Sequence, residues 1–98
     1  MSYAVQYLPR ALRNIQEIKN YISQDNPSAA ERLANEVKCL ISGLAEMPER
    51  YAKYQYNPAY RKIPIGNYLI FYKIDADKKI VKIHLVTHAM RKLDGLLR

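Results

Sequence analysis

The chain reads as an α+β domain, a helical hairpin packed on a small antiparallel sheet, with element order β-α-α-β-β-β and a short closing helix. Three observations predict this. From Arg10 to Met47 apolar residues recur at helical spacing, interrupted once by Gln24-Asp25-Asn26-Pro27. From Tyr60 to Thr87 the pattern changes to short extended runs separated by Gly66-Asn67 and Asp75-Ala76-Asp77-Lys78. Those two connections are too short for a crossover, so the last three strands form an antiparallel meander.

Ser2–Leu8, with Tyr3, Val5 and Tyr7, favours a first strand, which joins an edge of the sheet. Pro9 ends it and suits the first turn of a helix. Arg10 to Ser23 places Ala11, Ile15, Ile18 and Ile22 on one face, with Arg13, Glu17, Lys19 and Asn20 opposite. Asn26 is a good N-cap and Pro27 a good first residue for a second helix, expected to run to about Met47 and to bury Ala30, Leu33, Val37, Leu40, Leu44 and Met47. Pro48 stops it, and the short link makes the two helices antiparallel.

Glu49–Ala59 has no period and reads as a loop carrying Tyr51, Tyr54 and Tyr56 among Arg50 and Lys53. Its rings either cover an open edge of the core or stack on bases. Tyr60–Ile65 is the next strand, and Tyr68–Ile74 is apolar enough to be buried on both faces. In Lys79–Thr87, Val81, Ile83 and Leu85 are expected on one face, with Lys82 and His84 on the other. Ala89–Arg98 is expected to form a terminal helix with Met90, Leu93 and Leu97 turned inward.

Ninety-eight residues suffice for one domain, 1–98, with a single core. No 18-residue apolar run is present, so no transmembrane helix is expected. The N-terminal residues lack the apolar stretch of a signal peptide, which together with one cysteine points to the cytoplasm. That residue, Cys39, is expected to be a small core residue. Charge is uneven. Residues 1–49 hold five Lys/Arg against six Asp/Glu, whereas residues 50–98 hold eleven against three, a local net charge of +8. The C-terminal half therefore suits an acidic partner, either a nucleic acid or a protein, or it is a solvated basic surface.

Phosphate-binding loops, dinucleotide fingerprints, nucleophile elbows and zinc-protease motifs are all missing from the sequence. His84, His88 and Cys39 make a poor metal set, and no metal or other cofactor is expected. What remains is a cationic, tyrosine-bearing group: Tyr60, Arg61, Lys62, His84, His88 and Arg91. Attack of a ribose 2′-OH on phosphorus needs a base, an acid and cations, which His, Tyr, Lys and Arg can supply without metal.

Asn26-Pro27-Ser28-Ala29-Ala30, Leu44 with Pro48, Tyr60-Arg61 with Ile63, Gly66-Asn67-Tyr68-Leu69-Ile70-Phe71-Tyr72 and Val86-Thr87-His88-Ala89-Met90-Arg91 together resemble the RelE/ParE superfamily, the toxins of type II toxin–antitoxin modules. The resemblance covers almost the whole chain. It implies a growth-inhibiting, plasmid-stabilisation type of toxin neutralised by a cognate antitoxin, and it leaves two targets. ParE-like members inhibit DNA gyrase, whereas RelE-like members are ribosome-dependent mRNA endonucleases, or mRNA interferases.

The nuclease pattern is met in part. Lys62 falls near a catalytic lysine of that branch, but Leu69 and Ala89 stand where it carries arginines. Thr87-His88-Ala89 matches the related YafQ branch, whose other histidine and acid fall at Ile63 and Asn67. The proline-started second helix and the Val86-x-His88-Ala89-x-Arg91 segment suit the ParE-like branch better, although Lys92 replaces its usual acid. The expectation is thus a ParE-like gyrase inhibitor that meets its target through Arg61, Lys62, His88 and Arg91. The alternatives are a metal-independent endoribonuclease acting with ribosome and mRNA, and a degenerate, non-toxic member. A basic half with exposed tyrosines suits an acidic antitoxin segment that folds on binding. It would lie along the hairpin and sheet edge over Ile15, Ile18, Tyr21, Tyr54 and Tyr56, in a toxin–antitoxin hetero-oligomer.

Overall fold

The computed structural model describes residues 2–91, 93 and 97. Its elements are β1 (Ala4–Tyr7), α1 (Pro9–Ser23), α2 (Pro27–Ser42), a 3-10 turn at Gly43–Ala45, β2 (Arg61–Ile65), β3 (Tyr68–Asp75) and β4 (Ile80–His88). Helix α1 starts on Pro9, and α2 on Pro27 behind Asn26, whose Oδ1 accepts the Ala29 N–H at 3.0 Å. Both starts exploit the same fact: a first-turn N–H has no helical partner, so proline loses nothing there.

The sheet order is β1-β4-β3-β2. The β2–β3–β4 meander is antiparallel, while β1 takes the free edge of β4 in parallel, with Val5 level with Val81. The helical hairpin covers one face. There Ala11, Val37, Ile41 and Leu44 meet Ile63, Ile65, Ile70, Tyr72, Val81, Ile83 and Val86 in the main core.

Four expectations need correction. Helix α2 ends at Ser42 rather than near Met47, and its buried line is Ala30, Ala34, Val37, Ile41 and Leu44. Leu33 and Leu40 flank that line, and Met47 is 57% exposed. The tightening into a 3-10 turn rotates Met47 off the stripe. Cys39, two residues short of Ile41, falls on the outer side of the same helix and is exposed. Met90 is also exposed, lying in a turn after β4. The terminal helix expected over Ala89–Arg98 falls mostly outside the described residues, but Leu93 and Leu97 do pack inward.

The fourth correction concerns Leu85. The pairing of β3 with β4 shifts between Phe71 and Tyr72: Tyr72 faces Ile83, and Phe71 faces Leu85. His84 is therefore the extra residue of a β-bulge, and the side-chain alternation changes phase there. Val81 and Ile83 face the helices, but Leu85 turns to the opposite face, and Val86 resumes the core. Beyond Ile83, where the pairing with β1 ends, the Val86 N–H is taken by Asn14 Oδ1 of α1 at 3.1 Å.

The face away from the helices is consequently not all polar. Leu85 joins Tyr60 and Phe71 in a second, small core, roofed by Tyr54, Leu69, Leu93 and Leu97.

Candidate functional site

The loop before β2 shapes the open face. It is tied to β2 by the Tyr54 N–H to Tyr60 carbonyl bond (2.8 Å), the Lys62 N–H to Ala52 carbonyl bond (3.2 Å) and a bridge between Lys53 and Arg61. Its ring Tyr54 packs edge-on to Phe71, 5.0 Å between centroids, and to Tyr56 at 5.5 Å. The tyrosines of this segment thus do two things. Tyr54 closes the small core, while Tyr56 stands 78% exposed.

The six cationic and aromatic residues singled out in the sequence separate into four places. Tyr60 is buried beneath the open face, with His84 edge-on at 5.1 Å and Lys73 Nζ over its ring at 4.6 Å. Arg61 turns the other way, and its guanidinium donates to the Tyr51 carbonyl at 2.6 Å, which holds the loop down. Lys62 lies over the Tyr54 ring at 5.7 Å and, with Tyr56, Leu69 and Arg91, lines an open cleft of about 620 Å³. His88 is exposed at the end of β4, edge-on to Tyr68 at 5.4 Å.

Tyr68 packs against the helix-side core, so His88 lies round the sheet's end from His84. They stand four positions apart along the strand, roughly 13 Å. His88 Nδ1 accepts the Met90 N–H at 3.2 Å, which leaves Nε2 as the nitrogen that carries the proton of the neutral ring. With Asn14, Glu17, Ile18, Tyr21, Tyr68 and Arg91 it lines a second cleft of about 360 Å³. Arg91 borders both clefts and links them.

His84 is also set apart by its protonation. Burial, followed by the nearby charges of Lys73, Arg10 and Lys82, lowers the His84 pKa to about 4. At neutral pH it is an uncharged ring that cannot serve as an imidazolium acid.

The residues expected to meet an antitoxin fall on the same surfaces. Ile18 and Tyr21 share the cleft of His88 and Arg91, with Tyr21 72% exposed. Ile15 lines the adjoining slot between the hairpin and Tyr68. Tyr54 and Tyr56 share the cleft of Lys62 and Arg91. Among the described residues no three of His, Cys, Asp and Glu come together as metal ligands, and Cys39 stands on the outer side of α2. Sequence reasoning placed Lys82 on one face with His84 but missed Lys73 and Arg10 beside them. The readable trace was Leu85-Val86, two adjacent apolar residues where strict alternation demanded one polar.

A two-helix hairpin on one face of a four-stranded sheet, with β1 parallel on the edge and a cleft-bearing opposite face, defines the fold of RelE and ParE toxins. A chain of the chromosomal ParDE TA system from P. aeruginosa superposes with a TM-score of 0.73 at 12% identity, over 89% of this chain and 96% of that one. A chain of the RelBE2 toxin–antitoxin complex of Mycobacterium tuberculosis gives 0.68 at 22% identity, over 90% and 99%. The intact E. coli RelBE complex gives 0.63 at 24%, over 92% and 100%. Residues 5–93 match the family of the ParE toxin of type II toxin–antitoxin systems, parDE, and the chain belongs to that family. It is also similar to Toxin RelE2 of Caulobacter vibrioides, 46% identical over 41 residues, which is 42% of this chain and about half (47%) of that protein.

Proposed function

We propose that the chain is a toxin that acts by binding rather than by cutting, with DNA gyrase as its target and an acidic antitoxin as its restraint. One observation carries this reading: the ionisable residues do not converge. General acid–base cleavage needs a base and an acid within hydrogen-bond reach of one phosphate. Here Arg61 is committed to the Tyr51 carbonyl, His84 is neutral above Tyr60, and His88 stands at the strand's far end. The family match of residues 5–93 to ParE toxins supports the same choice. Restraint by an antitoxin is supported by geometry too. A segment laid over Ile18, Tyr21, Tyr54 and Tyr56 covers Lys62, His88 and Arg91 as well, because the clefts are shared.

The test is supercoiling by purified gyrase with the chain added. Loss of supercoiling is expected, reversed by charge removal in Lys62→Gln/Arg91→Gln. Undiminished supercoiling with no trapped DNA breaks counts against gyrase as target. One feature favours a second reading. Lys62, Arg91, Tyr54 and Tyr56 around a 620 Å³ cleft could hold a nucleotide, as a ribosome-dependent mRNA endonuclease requires. Primer extension on translated mRNA, wild type against His88→Ala, decides it: A-site cleavage lost in the variant would establish the nuclease.

A further inference from the structure

The open face is divided in two. Its loop-covered half is the small apolar core with the Lys62–Arg91 cleft. The other half is a row running from β1 across β4 and β3 to the residue that precedes β2. Lys73 of β3 sits directly opposite Lys82 of β4, and Lys82 is level with Gln6 of β1. On the other side Tyr60, the residue before β2, carries Lys73 on its ring. His84 at the bulge and Arg10, whose Nε donates to the His84 carbonyl at 3.2 Å, complete the patch.

Like charges directly opposed across two strands are unfavourable. Among the described residues no carboxylate pairs with Lys73 or Lys82. Asp75, the nearest acid along the same side of β3, accepts the Lys78 N–H at 3.1 Å and is used in the turn. The fold thus maintains a repulsive lysine pair that a neutral residue at either position would remove. Burial first, and then the charges of Lys73, Arg10 and Lys82, lower the pKa of His84 to about 4, so the ring lies within reach of both lysines.

We infer that the Lys73–Lys82 row, with Gln6, His84 and Arg10, is a binding site for the phosphodiester backbone of a nucleic acid. Phosphate is favoured over an acidic polypeptide by what the patch lacks. Protein interfaces are anchored by apolar and aromatic side chains and are depleted in lysine. Among the described residues of the row the one aromatic, Tyr60, is 1% exposed and turned into the small core, and the others are cations, an amide and an imidazole. Phosphate contacts need only such groups, and lysine supplies them as a point charge. The site is separate from the clefts of Lys62, His88 and Arg91, and it does not depend on the choice of gyrase as target.

The test is binding of the full-length chain to fluorescent 12-nucleotide RNA and 12-base-pair DNA duplex, measured from 50 to 300 mM salt. Each phosphate contact contributes about 0.7–0.9 to the log–log salt slope. Lys73→Gln/Lys82→Gln is therefore expected to lower the slope by about 1.5 and to weaken binding about thirtyfold at 0.1 M salt. Arg32→Gln/Lys38→Gln on α2 removes the same charge elsewhere and serves as the control, expected to change affinity less than about threefold. A stronger effect on RNA or on duplex identifies the source of the phosphate. In parallel, the His84 ring resonances are expected to titrate at higher pH with oligonucleotide bound, because the phosphate offsets Lys73, Lys82 and Arg10 while Tyr60 stays fixed. Equal losses in the two double variants overturn the site. Polyglutamate competing as well as the oligonucleotide overturns the ligand. Circular dichroism confirms folding, and removal of the lysine repulsion makes loss of fold the least expected result.

Discussion

The two faces of the sheet are built on opposite terms. The helix-side face buries eleven residues in one cluster, drawn from both helices, the 3-10 turn and β2, β3 and β4. Among the described residues the open face gathers three buried apolar side chains, Tyr60, Phe71 and Leu85, under a partly buried roof of Tyr54, Leu69, Leu93 and Leu97. Stability is thereby concentrated on the helix side of the sheet. The other side is free to keep lysines opposed, an imidazole uncharged and the Lys62–Arg91 cleft open. Functional surfaces commonly carry such locally unfavourable arrangements, offset by the packing elsewhere.

Adjacent residues of β3 offer the sharpest test of that asymmetry. Ile70 faces the helices with no exposure, and Leu69 faces the open cleft. Ile70→Ala is expected to cost about 2–5 kcal/mol in urea denaturation, since it leaves a cavity that the packed hairpin cannot collapse into. Leu69→Ala is expected to cost less than about 2 kcal/mol, because solvent already reaches the site. Equal costs for the two would mean that the open face is as firmly packed as the covered one.

The faces are joined at the bulge, so Asn14 tests the joint. Its side-chain oxygen takes the Val86 N–H beyond the end of the pairing with β1. Asn14→Ala leaves that half-buried donor unsatisfied and is expected to cost about 1–3 kcal/mol. Hydrogen exchange at Val86 should quicken by more than at Ile70. Unchanged exchange at Val86 would show that water replaces Asn14 and that the helix does not hold the bulge.

Much of this division was legible in the sequence, and the bulge explains where it was not. Periodicity located both helices and all four strands, and proline and Asn26 marked where the helices begin, because these signals are local and chemical. The stripe of α2 was misplaced at Leu33, Leu40 and Met47, because the apolar residues of the helix leave two lines to choose between. Only the sheet beneath decides between them. Likewise the phase change at His84 arises from pairing with Phe71 and Tyr72, partners distant in sequence. The grouping of Tyr60, Arg61, Lys62, His84, His88 and Arg91 assumed that proximity in the chain meant one face. Strand alternation, the bulge and the turn of Arg61 into its loop carried them apart.

Protonation separates the faces in a further way. His84 titrates near pH 4 when folded and near 6.5 when unfolded. Between those values the unfolded chain binds the proton more readily, so stability rises with pH. This contribution is fully present above about pH 6.5 and is lost as pH falls towards 4. The wild-type urea midpoint is accordingly expected to drop between pH 7 and pH 4.5 by more than that of His84→Gln, whose amide does not titrate. Parallel pH profiles for the two would place the ring outside the field of Lys73, Lys82 and Arg10.

The smallest effect bears on the lysine row itself. Lys82 opposes Lys73 without sharing its contact to Tyr60, so it can be neutralised without loss of the cation–ring interaction. Lys82→Gln is expected to stabilise the chain by about 0.2–1 kcal/mol, the range of a cross-strand pair, and the gain should shrink as salt screens the repulsion. It should also move the His84 titration upward, because one of the three cations acting on that ring is gone. A stabilising substitution that weakens nucleic-acid binding would mark the repulsion as a cost kept for function. If Lys82→Gln instead destabilises the sheet at low salt, the lysine makes a favourable contact in the folded chain, and the open face loses its claim to strain.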